Sequence, residues 1–521
     1  MTTTQPATTT IDLTPREAQL RELLLDTAKY VNSSQPKAEP VILRWAGGWV
    51  RDKLLGIESH DIDTAINNMT GEAFASKICE LCEKPETVNK HSITRDDVGN
   101  LHKIARNPDK SKHLETTTIK LFGFDVDFVN LRKETYSEDS RNPQMEFGTA
   151  EEDALRRDAT VNALFYNLNT SKVEDFTSGL TDMKAKLIKT PLEPFQTFMD
   201  DPLRVLRLVR FASRLGFTID PTAENVMGNA KVLDALKLKI SRERVGVEIE
   251  KMLKGKDPQR SLQYINDLGL YHTTFTDPTK PNMPSPDLSR WHSAYECLGH
   301  ILRTQEQGSI ASVLIQADEA PYYAWTLSAL TPWEYVDEPV HTGKGRAPPP
   351  FITFAAREGI KAPNKLCDLI TAAHKNRADI LALKTAVVQK AAYINERDRL
   401  GMAIRHWDAK GGYWRLQVLF CLLVEAMQRW GVGAKNDDFL GEWQLFLDHL
   451  RRLDVLDAPS MKRIIDGTQL AKSLNLKPGK WMAGALEVCV AWQLRHPDAT
   501  DPAGAIEEVN KRRAELNIPS G

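Results

Sequence analysis

Residues 41–66, VILRWAGGWVRDKLLGIESHDIDTAI, decide how the rest of the chain is read. The apolar run predicts a strand from Val41 to Ala46, which Gly47 and Gly48 close as a turn. One or two turns of helix follow, and then a second strand carrying Asp61 and Asp63. Two glycines remove side chains where backbone N–H groups can meet an anion, and a helix N-terminus aimed at the same spot favours phosphate. Arg51 adds a planar, permanently charged fork. The two-residue period of a strand puts Asp61 and Asp63 on one face, about 7 Å apart, with Ile62 on the other. Such a pair repels unless a cation sits with it, and Mg2+ takes carboxylate and phosphate oxygens together. The stretch therefore proposes a nucleoside triphosphate on a Gly-Gly turn and its metal on Asp-x-Asp.

GGWVRDKLLG followed by HDIDTAI resembles the nucleotidyltransferases of the poly(A)-polymerase and CCA-adding type, class II. The resemblance implies a multidomain chain. Its α/β nucleotidyltransferase head, with a mixed β-sheet, spans residues 1–190, and an all-α neck, body and tail span 191–272, 273–400 and 401–521.

Outward from the core, LFGFDVDFVNLR (121–132) reads as a strand with Asp125 and Asp127 on one face. Composition does not choose between them. In the family, the carboxylate five residues before the Arg of the following Leu-Arg completes the metal set, which is Asp127 here. Asp61, Asp63 and Asp127 are thus the implied catalytic residues and Mg2+ ligands, and three carboxylates fit two-metal phosphoryl transfer.

In TAEEDALRRDATVNALFYN, Thr149 and Glu152 form a capping box. The helix it opens is expected to carry Arg156, Arg157 and Asp158, with Asp158 and Asn162 one turn apart on one face. RRDATVNA matches the family's Arg-Arg-Asp-x-x-x-Asn-Ala pattern, which implies that Arg157 and Asp158 serve the incoming nucleotide, Asp158 at the ribose.

MDDPLRVLRLVRFASRLGF (199–217) predicts a helix with Asp201 as N-cap and Pro202 at its first position. Arg204, Arg207, Arg210 and Arg214 fall within about a third of its circumference. An arginine stripe on a helix turned inward needs anionic partners. The family's Asp-x-x-Arg pair, here Asp201 and Arg204, implies a template made of amino acids. The Asp accepts from the exocyclic amine of C or A and the Arg donates to a ring acceptor, while Arg207 and Arg210 face triphosphate or ribose. With Gly47, Gly48, Arg51 and Asn162, these complete the implied nucleotide site. ISRERVGVEIEKMLKG (240–255) matches a further family segment and is given no chemistry.

The flanks are plainer. LTPREAQLRELLLDTAKYVNS (13–33) predicts an amphipathic helix with Thr14 as N-cap and Pro15 at its first position. GEAFASKICELCEK predicts another helix. Residues 89–124 read as a charged loop with a short hairpin, and SKHLETTTIK within them resembles the flexible loop of fungal CCA-adding enzymes. Asp175 and Gly179 resemble the family's hinge between head and neck, and a plain turn would look the same. Lys375, Arg377, Lys384, Lys390, Arg397 and Arg399 offer a candidate basic face for RNA backbone, or a solvated face. Residues 466–497 resemble the tail of eukaryotic CCA-adding enzymes, with Gly467, Pro478 and Gly479 in a turn-rich connection and Trp481 expected in a core.

At 521 residues the chain needs three or four domains. Its 68 basic and 70 acidic residues neither announce nor exclude a nucleic-acid partner, since a local basic face matters more than the sum. Six scattered cysteines suit a reducing compartment, and Cys79 and Cys82 lack a second pair to complete a zinc site. MTTTQPATTT, without Lys or Arg, is a poor mitochondrial presequence and not a signal peptide. The expected location is nonetheless mitochondrial and cytoplasmic or nuclear, as is usual for the family in eukaryotes. The implied reaction is template-independent addition of CCA to the tRNA 3′ end from CTP and ATP, by a monomer that meets the tRNA 3′ end and acceptor arm, with no membrane partner. The alternatives are a partial enzyme adding only CC or only the last A, or a poly(A) polymerase.

Overall fold

The computed structural model describes residues 10–34, 39–99, 102–104, 116–137, 140–280, 283–304, 306–337, 339, 348–409, 411–432 and 436–519. Internal contacts divide it into two compact units: residues 1–257 with 267–274, and residues 258–266 with 275–521. These units do not follow the expected boundaries: residues 258–266 of the expected neck belong to the second unit, and 273–274 of the expected body to the first.

The first unit opens with α1 (Pro15–Ser34), which starts where expected. Thr14 Oγ1 accepts from the Glu17 backbone N–H at 3.3 Å, and Glu17 Oε2 accepts from the Thr14 N–H at 2.7 Å. Next come β1 (Leu43–Ala46), α2 (Gly48–Leu54), β2 (Asp61–Ile66), α3 (Gly71–Cys82), α4 (Pro85–His91), β3 (His102–Ile104), β4 (Thr116–Leu121) and β5 (Phe124–Asn130). The β6–β7 ribbon (Arg132–Ser137, Ser140–Phe147), α5 (Ala150–Leu155), β8 (Leu164–Asn167), β9 (Lys172–Asp175), α6 (Gly179–Lys184) and β10 (Leu187–Ile188) complete the head. The neck holds α7 (Pro194–Asp200), α8 (Arg204–Leu215), β11 (Thr218–Ile219), α9 (Pro221–Met227), α10 (Ala230–Lys239) and α11 (Arg242–Leu253). It is not purely helical: β11 pairs in parallel with β10.

Among the described residues seven strands form the head sheet, in the order β3-β4-β5-β2-β1-β8-β9. It is mixed, since β2 and β5 run parallel and β1 is antiparallel to both β2 and β8. Leu43, Trp45, Ile62, Val126 and Phe128 are buried on one face, where Phe74 of α3 meets Phe128 at a ring separation of 5.6 Å. The alternate residues, including Asp61 and Asp63, turn to the other face.

Three local expectations are corrected. Residues 121–132 are not one strand. Phe122 and Gly123, with φ of 51° and 88°, make a two-residue hairpin turn, so Leu121 ends β4 and pairs with Phe124 of β5. α5 stops at Leu155, so Arg156, Arg157 and Asp158 lie beyond it rather than in its second and third turns. α8 begins at Arg204. Asp201 sits in extended backbone between α7 and α8, where its Oδ1 accepts from the Leu203 N–H at 3.2 Å and its carbonyl from the Arg204 N–H at 3.0 Å. The capping chemistry expected of Asp201 is present, one turn ahead of the helix. The Asp175 carboxylate accepts from the N–H groups of Thr177, Gly179 and Leu180, which fixes the entry into α6. Residues 111–115, half of SKHLETTTIK, lie outside the described residues, and Thr116–Lys120 of it belong to β4.

The second unit is helical. Its helix Trp414–Arg429 buries Val418 to Val424 almost completely. The candidate basic face is largely spent inside it. Lys384 is buried between Glu425 and Glu442. Arg377 pairs with Glu334, and Arg397 with the Asp454 carboxylate and three backbone carbonyls. Arg399 lies over the Tyr393 ring. Lys375 and Lys390 stay exposed. Gly467 begins a helix under a capping box of Asp466 and Gln469, rather than making a turn. Trp481 is core, packed with Leu470, Ala485 and Val509.

Candidate active site

Two adjacent parallel strands bring the predicted acids together. In the β2–β5 register Asp61 lies beside Asp125 and Asp63 beside Asp127, so all four project from one face. Their partners on β4 differ. Lys120, in register with Asp125, brings its Nζ to 3.9 Å from Asp125 Oδ1. Thr118, in register with Asp127, donates its hydroxyl to Asp127 Oδ1. Asp125 thus has a cation beside it, while Asp127 keeps an oxygen for another partner. This separates two residues that sequence pattern alone left equivalent. Desolvation by the surrounding protein raises the Asp63 carboxyl above its ordinary value; Arg157 lowers it, Asp127 and Asp61 add smaller upward contributions, and the net shift is upward.

The same lateral row continues from Asp63 to Ala46 on β1 and Phe165 on β8. Ala46 leads directly into Gly47, whose φ of +66° is the left-handed conformation that glycine takes without strain. A Cβ there would also lie 2.8 Å from Arg157 Nη1. Arg157 lies over the Phe165 ring at 5.1 Å, donates from Nη1 to the Asn162 carbonyl at 3.2 Å, and is held by Asp153 through Nε and Nη2 at 3.0 and 2.9 Å. The Gly-Gly turn, Arg157 and the acid pair thus share one corner of the sheet. Asp153, which the sequence reading passed over, organises it by also taking Arg156.

Arg51 points inward. It is buried, its Nε donates to Asp52 Oδ1 at 2.8 Å, and its Nη1 donates to Asn162 Oδ1. The Asn162 side-chain amide donates in turn to Asp158 Oδ1 at 3.0 Å. The four-residue spacing of Asp158 and Asn162 does bring them together, through an irregular turn and a short 3₁₀ segment (Thr160–Asn162) rather than an α-helix.

The arginine stripe of α8 meets an anion at nearly every step. Arg207 reaches Asp158, Arg210 donates to Glu248 Oε2 at 2.6 Å, and Arg214 pairs with Asp52 at 3.1 Å. Arg204 is buried and donates from Nη2 to the Arg156 carbonyl at 2.6 Å. Asp201 Oδ2 meets Arg244 Nη2 at 3.2 Å. A continuous chain of contacts therefore runs Arg214–Asp52–Arg51–Asn162–Asp158–Arg207–Glu248–Arg210. Arg244 and Glu248 both lie on α11, in the segment given no chemistry. The signal that could have found them is the demand of four arginines on one helix for carboxylates on its neighbour.

The acid face fits a hard divalent cation. Its donors are all carboxylate oxygen, the ligand chemistry that hard divalent cations take. Among the described residues no group of three or more His, Cys, Asp or Glu side chains is arranged to hold a metal ion. Facing carboxylates with an open side suit an ion that takes its remaining oxygens from water and phosphate.

Comparison with known proteins agrees with this geometry. The Poly A polymerase head domain matches residues 43–189, and the probable RNA and SrmB-binding site of polymerase A matches residues 216–280. The nucleotidyltransferase lcsQ of Purpureocillium lilacinum is 54% identical over 98% of this chain and 93% of its own. The mitochondrial CCA tRNA nucleotidyltransferase of Saccharomyces cerevisiae is 35% identical over 94% of this chain and 92% of its own. The fold is that of an apo CCA-adding enzyme structure, with a TM-score of 0.65 at 20% identity, covering 96% of each chain. Among the described residues no helix is long and apolar enough to cross a membrane. With the acid pair, the Gly-Gly corner and relatives of this identity along nearly its whole length, the chain belongs to the tRNA nucleotidyltransferase family of CCA-adding enzymes.

Proposed function

We propose that the protein adds C, C and A in turn to the 3′ end of tRNA, from CTP and ATP and without a nucleic-acid template. The observation that carries the chemistry is the register of Asp63 with Asp127, with Asp61 on the same face and Asp63 beside Ala46, which leads into the Gly47–Gly48 turn. The tRNA 3′-oxygen attacks the α-phosphorus, a new P–O bond forms, and the bond to pyrophosphate breaks. Asp61, Asp63 and Asp127 would hold Mg2+, which supplies Lewis-acid activation of the attacking hydroxyl and neutralises charge on the leaving pyrophosphate, in the two-ion form of this chemistry. Gly47 and Gly48 leave backbone room for the triphosphate, and Arg157 supplies the cation at that corner. Arg51 supports the site from behind through Asn162. Asp158 and Arg207 stand at the ribose, with Arg210 behind them. Asp201 and Arg204 read the base by hydrogen bonds that U and G would leave unpaired.

The test is incorporation by purified protein with Mg2+ and labelled CTP or ATP, on tRNA ending before CCA, after C and after CC. Addition of C, C and then A to the shortest substrate is the expected result. Arrest at CC, or A added only after CC, would make it one half of a divided activity. A long A tail on any RNA would make it a poly(A) polymerase. The mitochondrial name of the yeast relative supports a mitochondrial pool, and a cytoplasmic or nuclear pool beside it is part of the same proposal. Fractionation of the tagged protein checks both.

A further inference from the structure

α11 packs against α8. Its start is anchored by Arg242, which is buried and donates to the carbonyls of Thr273, at 3.0 Å from Nη1, and Thr274. One face then presents Arg244 to Asp201 and, one turn later, the buried carboxylate of Glu248 to Arg207 and Arg210. The two contacts differ in kind. Glu248 joins helices through the middle of the arginine stripe. Arg244 meets a carboxylate that lies outside any helix, and that is otherwise held by the Leu203 N–H on Oδ1. Both side chains of the Arg244–Asp201 pair keep about a fifth of their surface open (17% and 21%), so the carboxylate is held yet reachable.

We infer that Arg244 is a positioning residue for base choice: its Nη2 contact fixes the orientation of the Asp201 carboxylate, and so which lone pairs face the incoming base. The inference rests on the reading of Asp201 as the base-reading acceptor. A carboxylate oriented by two donors offers its remaining lone pairs in fixed directions, and C and A, which present an amine there, can donate to them. Without Arg244 the carboxylate turns about its side-chain torsions and its acceptors no longer meet the amine in one geometry. Arg204 does not share this dependence, because it is pinned separately on the Arg156 carbonyl.

The experiment compares Arg244→Gln, Arg244→Lys and Asp201→Ala with the wild type. It measures kcat and KM for CTP, ATP, UTP and GTP on tRNA lacking CCA, and equilibrium binding of each nucleotide without tRNA. Thermal unfolding of every variant identifies any that has lost its fold. Arg244→Gln should lower the preference for C and A over U and G by about tenfold to a hundredfold, the worth of one charge-assisted hydrogen bond. It should leave KM for tRNA unchanged, and Arg244→Lys should restore part of the preference. If Asp201→Ala relaxes base choice while both folded Arg244 variants keep wild-type preference, the role of Arg244 is overturned and the role of Asp201 stands. If Asp201→Ala leaves base choice intact, the base-reading assignment itself fails, and the inference fails with it. Loss of fold in Arg244→Gln leaves Arg244→Lys to decide: a preference equal to wild type despite its single-point contact overturns the proposal, and an intermediate one supports it.

Discussion

Arg207 on α8 grips Asp158 across the join of head and neck: its Nε donates to Asp158 Oδ2 at 2.7 Å, and its Nη2 reaches the same oxygen at 2.5 Å. Burial alone would raise the Asp158 carboxyl. Arg207 and the Asn162 amide outweigh it and hold the group well below the usual carboxylate range. The residue implied for the ribose is therefore kept ionised, and an ionised carboxylate accepts hydroxyl hydrogen bonds without donating any.

Removing Arg207 strands that charge. Arg207→Ala should cost roughly 2–4 kcal/mol of stability, toward the lower part of the range for a buried pair because Arg207 is partly exposed. Arg207→Ala with Asp158→Asn should recover part of the loss, a coupling that chemical unfolding of the double-mutant cycle measures. Strictly additive losses would mean that the contact is not energetically real.

Gly47 makes a second test. Alanine there meets both a left-handed backbone and the Arg157 guanidinium, since its Cβ would lie 2.8 Å from Nη1. The backbone strain should cost about 1–2 kcal/mol. Displacement of Arg157 should raise KM for CTP and ATP, on the order of tenfold to a hundredfold. Steady-state kinetics with unchanged KM for tRNA would match, and an unaltered nucleotide KM would separate Arg157 from the triphosphate.

The acid face distinguishes its own members. Asp63→Asn and Asp127→Asn should each lower incorporation by roughly 10²–10³-fold or more while tRNA binding persists. Asp125→Asn, which loses only its neighbour Lys120, should stay near wild type. Near-normal turnover in Asp127→Asn would sink the assignment of the third carboxylate.

In the second unit, the hydrogen bonds from Arg429, and then Lys384, hold the Glu442 carboxyl at about 2 against burial, which pushes the other way. Its unfolded value is near 4.5. A group whose folded value is depressed contributes fully above its unfolded value and loses that contribution as pH falls through the folded one. Stability should therefore decline between about pH 4.5 and 2 in the wild type. Glu442→Gln should be less stable near neutrality and show a flatter acid limb, which urea unfolding at stepped pH would reveal. Parallel acid limbs would exclude this carboxylate as their source.

The sequence by itself determined the parts that short-range physics controls. Alternation placed Asp61 and Asp63 on one face, Thr14 and Thr149 announced two helix starts, and Trp481 went to a core. These follow from backbone periodicity and from donors and acceptors a few residues apart. Only the tertiary structure gave Asp127 and Asp125 different neighbours, Thr118 and Lys120, because these lie on a strand paired across a turn. It also turned Arg51 inward, ended α5 before Arg156, spent half of the supposed basic face on Glu334, Glu425, Glu442 and Asp454, and gave Arg244 and Glu248 their partners. Each outcome depends on which charge is nearest in space. A buried arginine is committed by the carboxylate the fold brings to it, and that carboxylate can lie anywhere along the chain.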